Sequence, residues 1–348
     1  SIPLIAGVLV ALVFANFFPH LYHDIVHYEL FSHQHWSSMH FLVNDIFMVF
    51  FFGIAAKEIV ESFLKGGALN PVKKAINPLL ATIGGVAGPV LLFFFLTAQL
   101  GVPELNNGWA IPTATDIALA WLAAKVIFGP SHPAINFLLL LAIVDDAIGL
   151  GIIAIFYGDA AHPANPMQMI FIAAGMALAL GMNKFKVKAW PLYIIGPGVL
   201  SWFGFYTAHL HPALALVPIV PFLPAFTVDK EGNKDHHHSP LNNFEHSLKL
   251  FVDFGLFFFA FANAGVGFSA VSSITWIIFA SLIVGKLIGI SFFSFLGEKL
   301  GFPLPKGMEM KHVVLTGIIA GIGLTVALFV SGAAYTGDMI AYQGPAKM

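Results

Sequence analysis

The sequence predicts an all-α membrane protein of about eleven or twelve transmembrane helices. Hydrophobic residues make up 58% of the 348 residues, charged residues only 10%, and the mean hydropathy is +0.85. Apolar runs of about 20 residues, the length that crosses the hydrocarbon core of a bilayer, recur along the whole chain. The lysines that lie between these runs occupy alternate connections, which is typical of a chain that crosses a membrane repeatedly.

The apolar runs predict the helices in chain order. Helices are expected over residues 2–18, 41–64, 78–100, 134–157, 166–182, 190–206, 213–225, 244–265, 274–296 and 313–334, and the fourth helix begins near residue 109 and is interrupted at 112–116. The eighth is short and contains Pro218 and Pro221. Residues 20–39 are expected to form a polar loop, because histidines and acids replace the apolar run there. A twelfth helix would begin only where the chain reaches Met348.

The lysines predict which connections face the cytoplasm. Lysines follow the even-numbered helices at Lys65, Lys73, Lys74, Lys125, Lys184, Lys186, Lys188, Lys230, Lys234, Lys299, Lys306 and Lys311. The odd-numbered connections contain none. Because short cytoplasmic loops carry an excess of Lys and Arg, the even connections and the N-terminus are expected inside and the loop at Asp338 outside.

Helices four and eleven contain helix-breaking residues near their centres. Pro112 removes a backbone donor from the fourth, and the glycines of Gly317–Thr325 weaken the eleventh. Unwound backbone at membrane depth persists only where it lines a cavity or is buried in protein. In transporters, matching breaks in two inverted repeats mark the binding site, so helices 3–5 and 10–12 are expected to form such repeats. Two ordinary kinks are the alternative.

Four ionisable residues lie deep in apolar helices: Asp116, Asp145, Asp146 and Lys286. One charged aspartate at the bilayer centre costs roughly 2.5–3.5 kcal/mol, so an adjacent pair indicates function rather than packing. The alternative is a purely structural pair satisfied by backbone or by a lysine. Adjacent side chains diverge by about 100° around a helix. We therefore expect one aspartate to pair with Lys286 and the other to face a solvated cavity.

This set of groups suits a small hard cation. Carboxylates, the Thr115 hydroxyl and exposed carbonyls are oxygen ligands. The same carboxylates bind protons and should titrate as a coupled unit, so the site predicts an exchanger. An intramembrane aspartyl protease would need its two aspartates on facing helices. A sodium-coupled symporter would need a roomy polar pocket for an organic solute.

Several motifs together resemble the NhaA-type sodium/proton antiporters. They are Ala114–Ala118, Ala142–Asp146, Phe259–Gly265, Gly285-Lys286 and Gly321–Thr325, and they occur in the family order. The resemblance covers nearly the whole chain. It implies electrogenic, pH-dependent exchange of Na⁺ or Li⁺ for more than one H⁺ across a bacterial cytoplasmic membrane by alternating access. It also implies a homodimer in which a core over residues 78–157 and 274–348 moves against a panel and dimerisation side.

The resemblance also implies roles for individual residues. Asp146 matches the essential carboxylate that carries cation and proton, and Asp145 matches its neighbour, which pairs with the lysine at Lys286. Asp116 and Thr115 match the break in helix four, where the aspartate compensates the helix dipole ends. The expected Na⁺ site is thus Asp146 with Asp145, with Thr115 and Asp116 nearby.

A pH-response cluster is also expected from the resemblance, at Glu58, Glu245 and His211. The chain departs from the family here, since Lys57–Glu61 contains no Arg.

Other features predict less. The absence of Arg argues against nucleic-acid recognition, and no cofactor is expected. The six His of residues 20–40 could bind metal, although a solvated external loop is the simpler interpretation. The same holds for His236–His238 in a cytoplasmic loop.

Overall fold

A computed structural model describes residues 2–28, 38–64, 67–70, 72–158, 164–228, 234–235 and 239–348. The predictions for Lys65, Lys230 and His236–His238, and those for His33 and His35 among the six histidines of residues 20–40, lie outside these residues. The described chain is helical, which confirms the predicted fold class. The helices are α1 (Ile2–Phe17), α2 (Pro19–His27), α3 (Met39–Phe63), α4 (Val72–Leu100), α5 (Ile117–Phe128), α6 (Pro133–Phe156), α7 (Met169–Lys184), α8 (Val199–Thr207), α9 (Pro240–Ala264), α10 (Ser273–Lys299), α11 (Met310–Ala320), α12 (Thr325–Ala334) and α13 (Gln343–Lys347).

Smaller elements complete the described chain. Pro103–Thr113 and Gly337–Tyr342 are 3₁₀ helices, and Trp190–Tyr193 leads through a π-helical turn at Ile194–Gly198 into α8. Two short strands, β1 (Thr227–Val228) and β2 (Lys234–Asp235), pair antiparallel with Thr227 opposite Asp235.

Several helices are long and apolar enough to cross a membrane. They are α3, Ala75–Leu100 of α4, α6, α9 and α10. Two further spans are broken: Pro103–Thr113 meets α5 at a bend of 58°, and α11 meets α12 at a bend of 51°. These breaks fall where Pro112 and the glycine cluster predict them, so both predicted interruptions are confirmed.

Two predicted elements are wrong. The expected polar loop over residues 20–39 contains α2, because Tyr22 and Val26, one turn apart, bury an inner face while the polar residues point outward. The expected helix over residues 213–225 consists of 3₁₀ turns at Pro212–Leu214 and Val220–Phe222. Pro218 and Pro221 lack the amide donors that an α-helix would need there.

One compact unit comprises Ser62–Ile152 and Val266–Met348. Within it, α4 and α10 pack with their backbones in close approach. A Cβ on Gly84 would meet the backbone of Gly289, and one on Gly88 would meet that of Gly285. This packing fixes α10, the helix that carries Lys286.

The other compact unit comprises Ile2–Glu61 and Ile153–Gly265. Its helices α1 and α9 pack closely, with Gly7 facing the backbone of Phe257. A buried amide pair joins α3 to α9, because the Asn263 side-chain amide donates to Asn44 Oδ1 at 3.0 Å. The 3₁₀ segment of residues 212–222 lies buried in this unit, with Ala213, Leu216 and Ile219 at most 1% exposed.

Candidate functional site

The two broken spans touch at their breaks. The backbone N–H of Asp116 donates to the carbonyl of Ile322 at 2.8 Å. A Cβ on Gly323 would approach the carbonyl of Ala114 to 2.7 Å, so a glycine is needed for this contact. A backbone N–H left without an intrahelical partner at one break thus donates to a carbonyl at the other break. Irregular backbone is tolerated at membrane depth when its polar groups are bonded within the protein in this way.

Asp116 lies at the N-terminal ends of two half-helices. Its Oδ1 accepts the N–H of Leu119 at 3.1 Å, which makes it the N-cap of α5. Its Oδ2 accepts the hydroxyl of Thr325, the first residue of α12, at 2.7 Å. Helix N-termini carry partial positive charge, so one carboxylate stabilises both ends. This arrangement agrees with the role that the resemblance implies for Asp116.

Replacing Thr325 with Val should destabilise the crossing. The substitution keeps the side-chain shape but removes a donor to a carboxylate, a loss of about 1.5–3 kcal/mol. Thermal unfolding of the purified protein in detergent measures it. The matched control is Thr316→Val, whose hydroxyl only returns to the His312 carbonyl of its own helix at 2.7 Å. If both variants lower the stability equally, the hydrogen bond from Thr325 to Asp116 stabilises the crossing no more than an ordinary intrahelical bond does, which would contradict the bridging role.

Lys286, Asp145 and Thr115 form a buried cluster. Lys286 Nζ lies 2.5 Å from Asp145 Oδ2 and 2.6 Å from Thr115 Oγ1. The side chains of Lys286 and Asp145 are both 0% exposed. Thr115 Oγ1 is 2.9 Å from Asp145 Oδ2 and 2.9 Å from the Ala320 carbonyl, and its single proton serves one of them at a time. The predicted ion pair between Lys286 and one of the two aspartates is therefore present.

Asp146 differs from its neighbour in its surroundings. Asp145 is 1% exposed, whereas Asp146 has intermediate exposure. Adjacent residues of a helix point about 100° apart. Lys286 therefore pairs with Asp145 on one face of α6, and Asp146 lies on a different face. Of the two adjacent aspartates, Asp146 is the less buried residue, although its Oδ1 atom is itself buried.

A π-helical turn, Ser281–Gly285, immediately precedes Lys286 in α10. Such turns occur frequently at functional sites, because the extra residue redirects the side chains that follow. The sequence analysis missed it. The only local signal is Gly285, which lacks a side chain at the end of the turn.

The predicted pH-response residues belong to the other compact unit. There Lys57 is 4% exposed and donates to Glu61 at 2.6 Å and to Glu245. Glu58 lies within electrostatic reach of this trio. His211 Nδ1 accepts the N–H of Ala213 at 3.4 Å. The structure thus brings Glu58 and Glu245 together around a lysine that the sequence analysis did not single out.

Comparisons with known proteins agree with these observations. A sequence profile of the family described as Na⁺/H⁺ antiporter 1 matches residues 1–347. The chain is 56% identical to the Na⁺/H⁺ antiporter NhaA of Geotalea uraniireducens, over 100% of this chain and 90% of the relative. It is 55% identical to that of Desulfitobacterium hafniense, over 100% and 89%, and 39% identical to that of Jannaschia sp., over 100% and 91%.

These matches confirm the resemblance drawn from the motifs. They also confirm that the chain is a transporter rather than an enzyme, so the intramembrane protease is the wrong alternative. The apolar spans, the crossing breaks and the full-length matches agree in one conclusion: the chain belongs to the Na⁺/H⁺ antiporter 1 family, together with the NhaA antiporters.

Proposed function

We propose that the chain exchanges Na⁺ for H⁺ across the membrane and that Asp146 carries both ions in turn. The observation that carries this proposal is that the two adjacent aspartates differ in their ion pairing and in their exposure. Lys286 neutralises Asp145, whereas Asp146, the next residue of the same helix, has intermediate exposure. A partly exposed carboxylate supplies the hard oxygen ligands that Na⁺ prefers.

Exchange follows from competition for the same oxygens. A carboxylate that holds a proton has lost the charge that attracts Na⁺, so Asp146 binds one or the other. In this proposal Asp145 and Lys286 join the cycle. When Na⁺ binds to the Asp145 carboxylate, Lys286 loses its counter-ion. Because a buried, unpaired ammonium group is unfavourable, Lys286 then releases a proton. Release of more than one proton for each Na⁺ would make the exchange electrogenic. Li⁺, which is small and hard, would be a second substrate.

The moving part in this proposal is the core of residues 78–157 and 274–348, and the remaining helices form the panel and dimerisation side. The division of the chain into two compact units, one of them Ser62–Ile152 with Val266–Met348, supports it. Asp116 supports rigid movement of the core, because it ties the two broken spans together. The lysine pattern supports a cytoplasmic N-terminus, and the proposed location is a bacterial inner membrane. The proposed assembly is a homodimer.

An everted-vesicle assay tests the proposed function. Vesicles from a host that lacks its own Na⁺/H⁺ exchangers are acidified by respiration, and a ΔpH-sensitive dye is quenched. Addition of Na⁺ or Li⁺ should restore the fluorescence through exchange, while K⁺ should not. Vesicles with no dequenching by any of these cations at any pH from 6 to 9 would refute the function.

A further inference from the structure

The exposed face of α2 carries two histidines one turn apart, a feature that the transport function does not use. His23 and His27 both lie on this face, and their ring centroids are 4.3 Å apart. Positions i and i+4 of a helix are neighbours, which is the spacing at which two imidazoles can bind one ion. His40 lies further away, with its centroid 6.3 Å from that of His27.

The hydrogen bond of His27 fixes which ring nitrogen is available. Its Nδ1 lies 3.0 Å from the carbonyl oxygen of His23. A carbonyl can only accept, so Nδ1 carries the proton and the neutral ring keeps its lone pair on Nε2. An Nδ1–H bonded to a backbone carbonyl is the usual outer support of a metal-binding histidine.

An acidic residue lies close to His23. The Asp24 carboxylate is 3.9 Å from His23 Nδ1, beyond hydrogen-bond distance, and adds negative charge beside the histidine pair. The surrounding sequence also favours a cation, because residues 1–56 contain three acidic residues, Asp24, Glu29 and Asp45, and no Lys.

The opposite face of α2 holds the helix in place. The Tyr22 hydroxyl donates to the Phe261 carbonyl at 2.6 Å, and burial raises the pKa of Tyr22 to about 12, so it stays a donor. Val26 is 3% exposed. Because Tyr22 and Val26 also lie one turn apart, the buried pair orients the exposed histidine pair without any metal.

We propose that His23 and His27 chelate a borderline divalent metal ion of the class of Zn²⁺, Cu²⁺ or Ni²⁺, with solvent completing its coordination shell. Such ions hold imidazole nitrogen at about 2.0–2.1 Å, a distance that rings this close can satisfy together. Among the described residues, no three His, Asp or Glu side chains are placed to hold one ion, so this part of the chain supplies the two imidazoles of His23 and His27 as ligands. Nitrogen ligands favour this class over Na⁺, which distinguishes it from the transport site.

Calorimetric titration of the full-length protein in detergent, purified without a histidine tag, tests the site. His236–His238 are first replaced by Ser, since three consecutive histidines bind metal by themselves. In this background Zn²⁺, Cu²⁺ and Ni²⁺ should each occupy a site that His27→Ala weakens at least about tenfold. Copper should give an electron paramagnetic resonance spectrum with nitrogen coupling, and the coupling should weaken in the variant.

A spacing variant is the matched control. His27→Ala combined with Tyr28→His keeps the number of histidines but moves the second one from the i+4 position to a residue beyond the end of α2. It should bind as weakly as His27→Ala alone. Both altered side chains are exposed, so melting temperatures without metal should match that of the background. Equal affinity of the background, His27→Ala and the spacing variant for all three metals would overturn the proposal.

Discussion

Asp146→Asn should abolish Na⁺-driven exchange in everted vesicles, reducing it at least about 100-fold to the level of vesicles without the protein. The amide has almost the shape of the carboxylate but neither charge for Na⁺ nor affinity for a proton, so both substrates lose their common ligand. The intermediate exposure of Asp146 means that the variant should still fold, with a melting temperature within a few degrees of the unmodified protein.

Asp253→Asn is the matched control for this variant. Asp253 is also an aspartate of intermediate exposure within a long apolar helix, α9, but it lies in the other compact unit. Its replacement should leave exchange within about twofold of normal, since Asp253 is not part of the proposed ion site. Normal exchange by Asp146→Asn, or equal loss in both variants, would refute the assignment of Asp146.

Lys286→Ala should cost the protein much of its stability. The change strands the carboxylate of Asp145, which is 1% exposed, without its counter-ion. Breaking a buried ion pair from one side costs about 3–5 kcal/mol. Thr115 also loses the ammonium donor at 2.6 Å. Thermal unfolding in detergent should therefore show a large fall in melting temperature, and Na⁺ exchange should fall with it.

A double variant separates the ion pair from the packing of the lysine. Lys286→Met with Asp145→Asn removes both charges and keeps most of the volume. It should be more stable than Lys286→Met alone, because no buried charge is left unpaired. If the loss of unfolding free energy in the double variant equals the sum of the losses in the two single variants, the two side chains have no coupling energy. That result would contradict the ion pair between Lys286 and Asp145.

The ion pair could be predicted because its members are charged residues within apolar helices. Lys286 and the Asp145-Asp146 pair interrupt long apolar runs, and a buried charge needs an opposite one. Which aspartate would take the lysine could not be derived from the residues, since helical spacing only requires that they face differently. The resemblance to a known family supplied that choice, and the structure places Lys286 against Asp145.

Features that depend on backbone detail could not be predicted. The bond from Thr325 to Asp116 joins residues 209 positions apart, and nothing local in either segment predicts it. The π-helical turn before Lys286 has no recognisable residue pattern beyond one glycine. Helix α2 was missed because its many histidines hid a small inner face on which Val26 is buried and Tyr22 is partly buried.

The central claim is that Na⁺ and protons compete for the same carboxylate oxygens. The most direct measurement is the Na⁺ concentration for half-maximal dequenching in everted vesicles, followed as a function of pH at matched ΔpH. Competition predicts that this concentration rises about tenfold for each unit of acidification when one proton competes, and up to about a hundredfold when two do, while the maximal rate at saturating Na⁺ is unchanged. A half-maximal Na⁺ concentration that stays constant across pH while only the maximal rate changes would contradict the account.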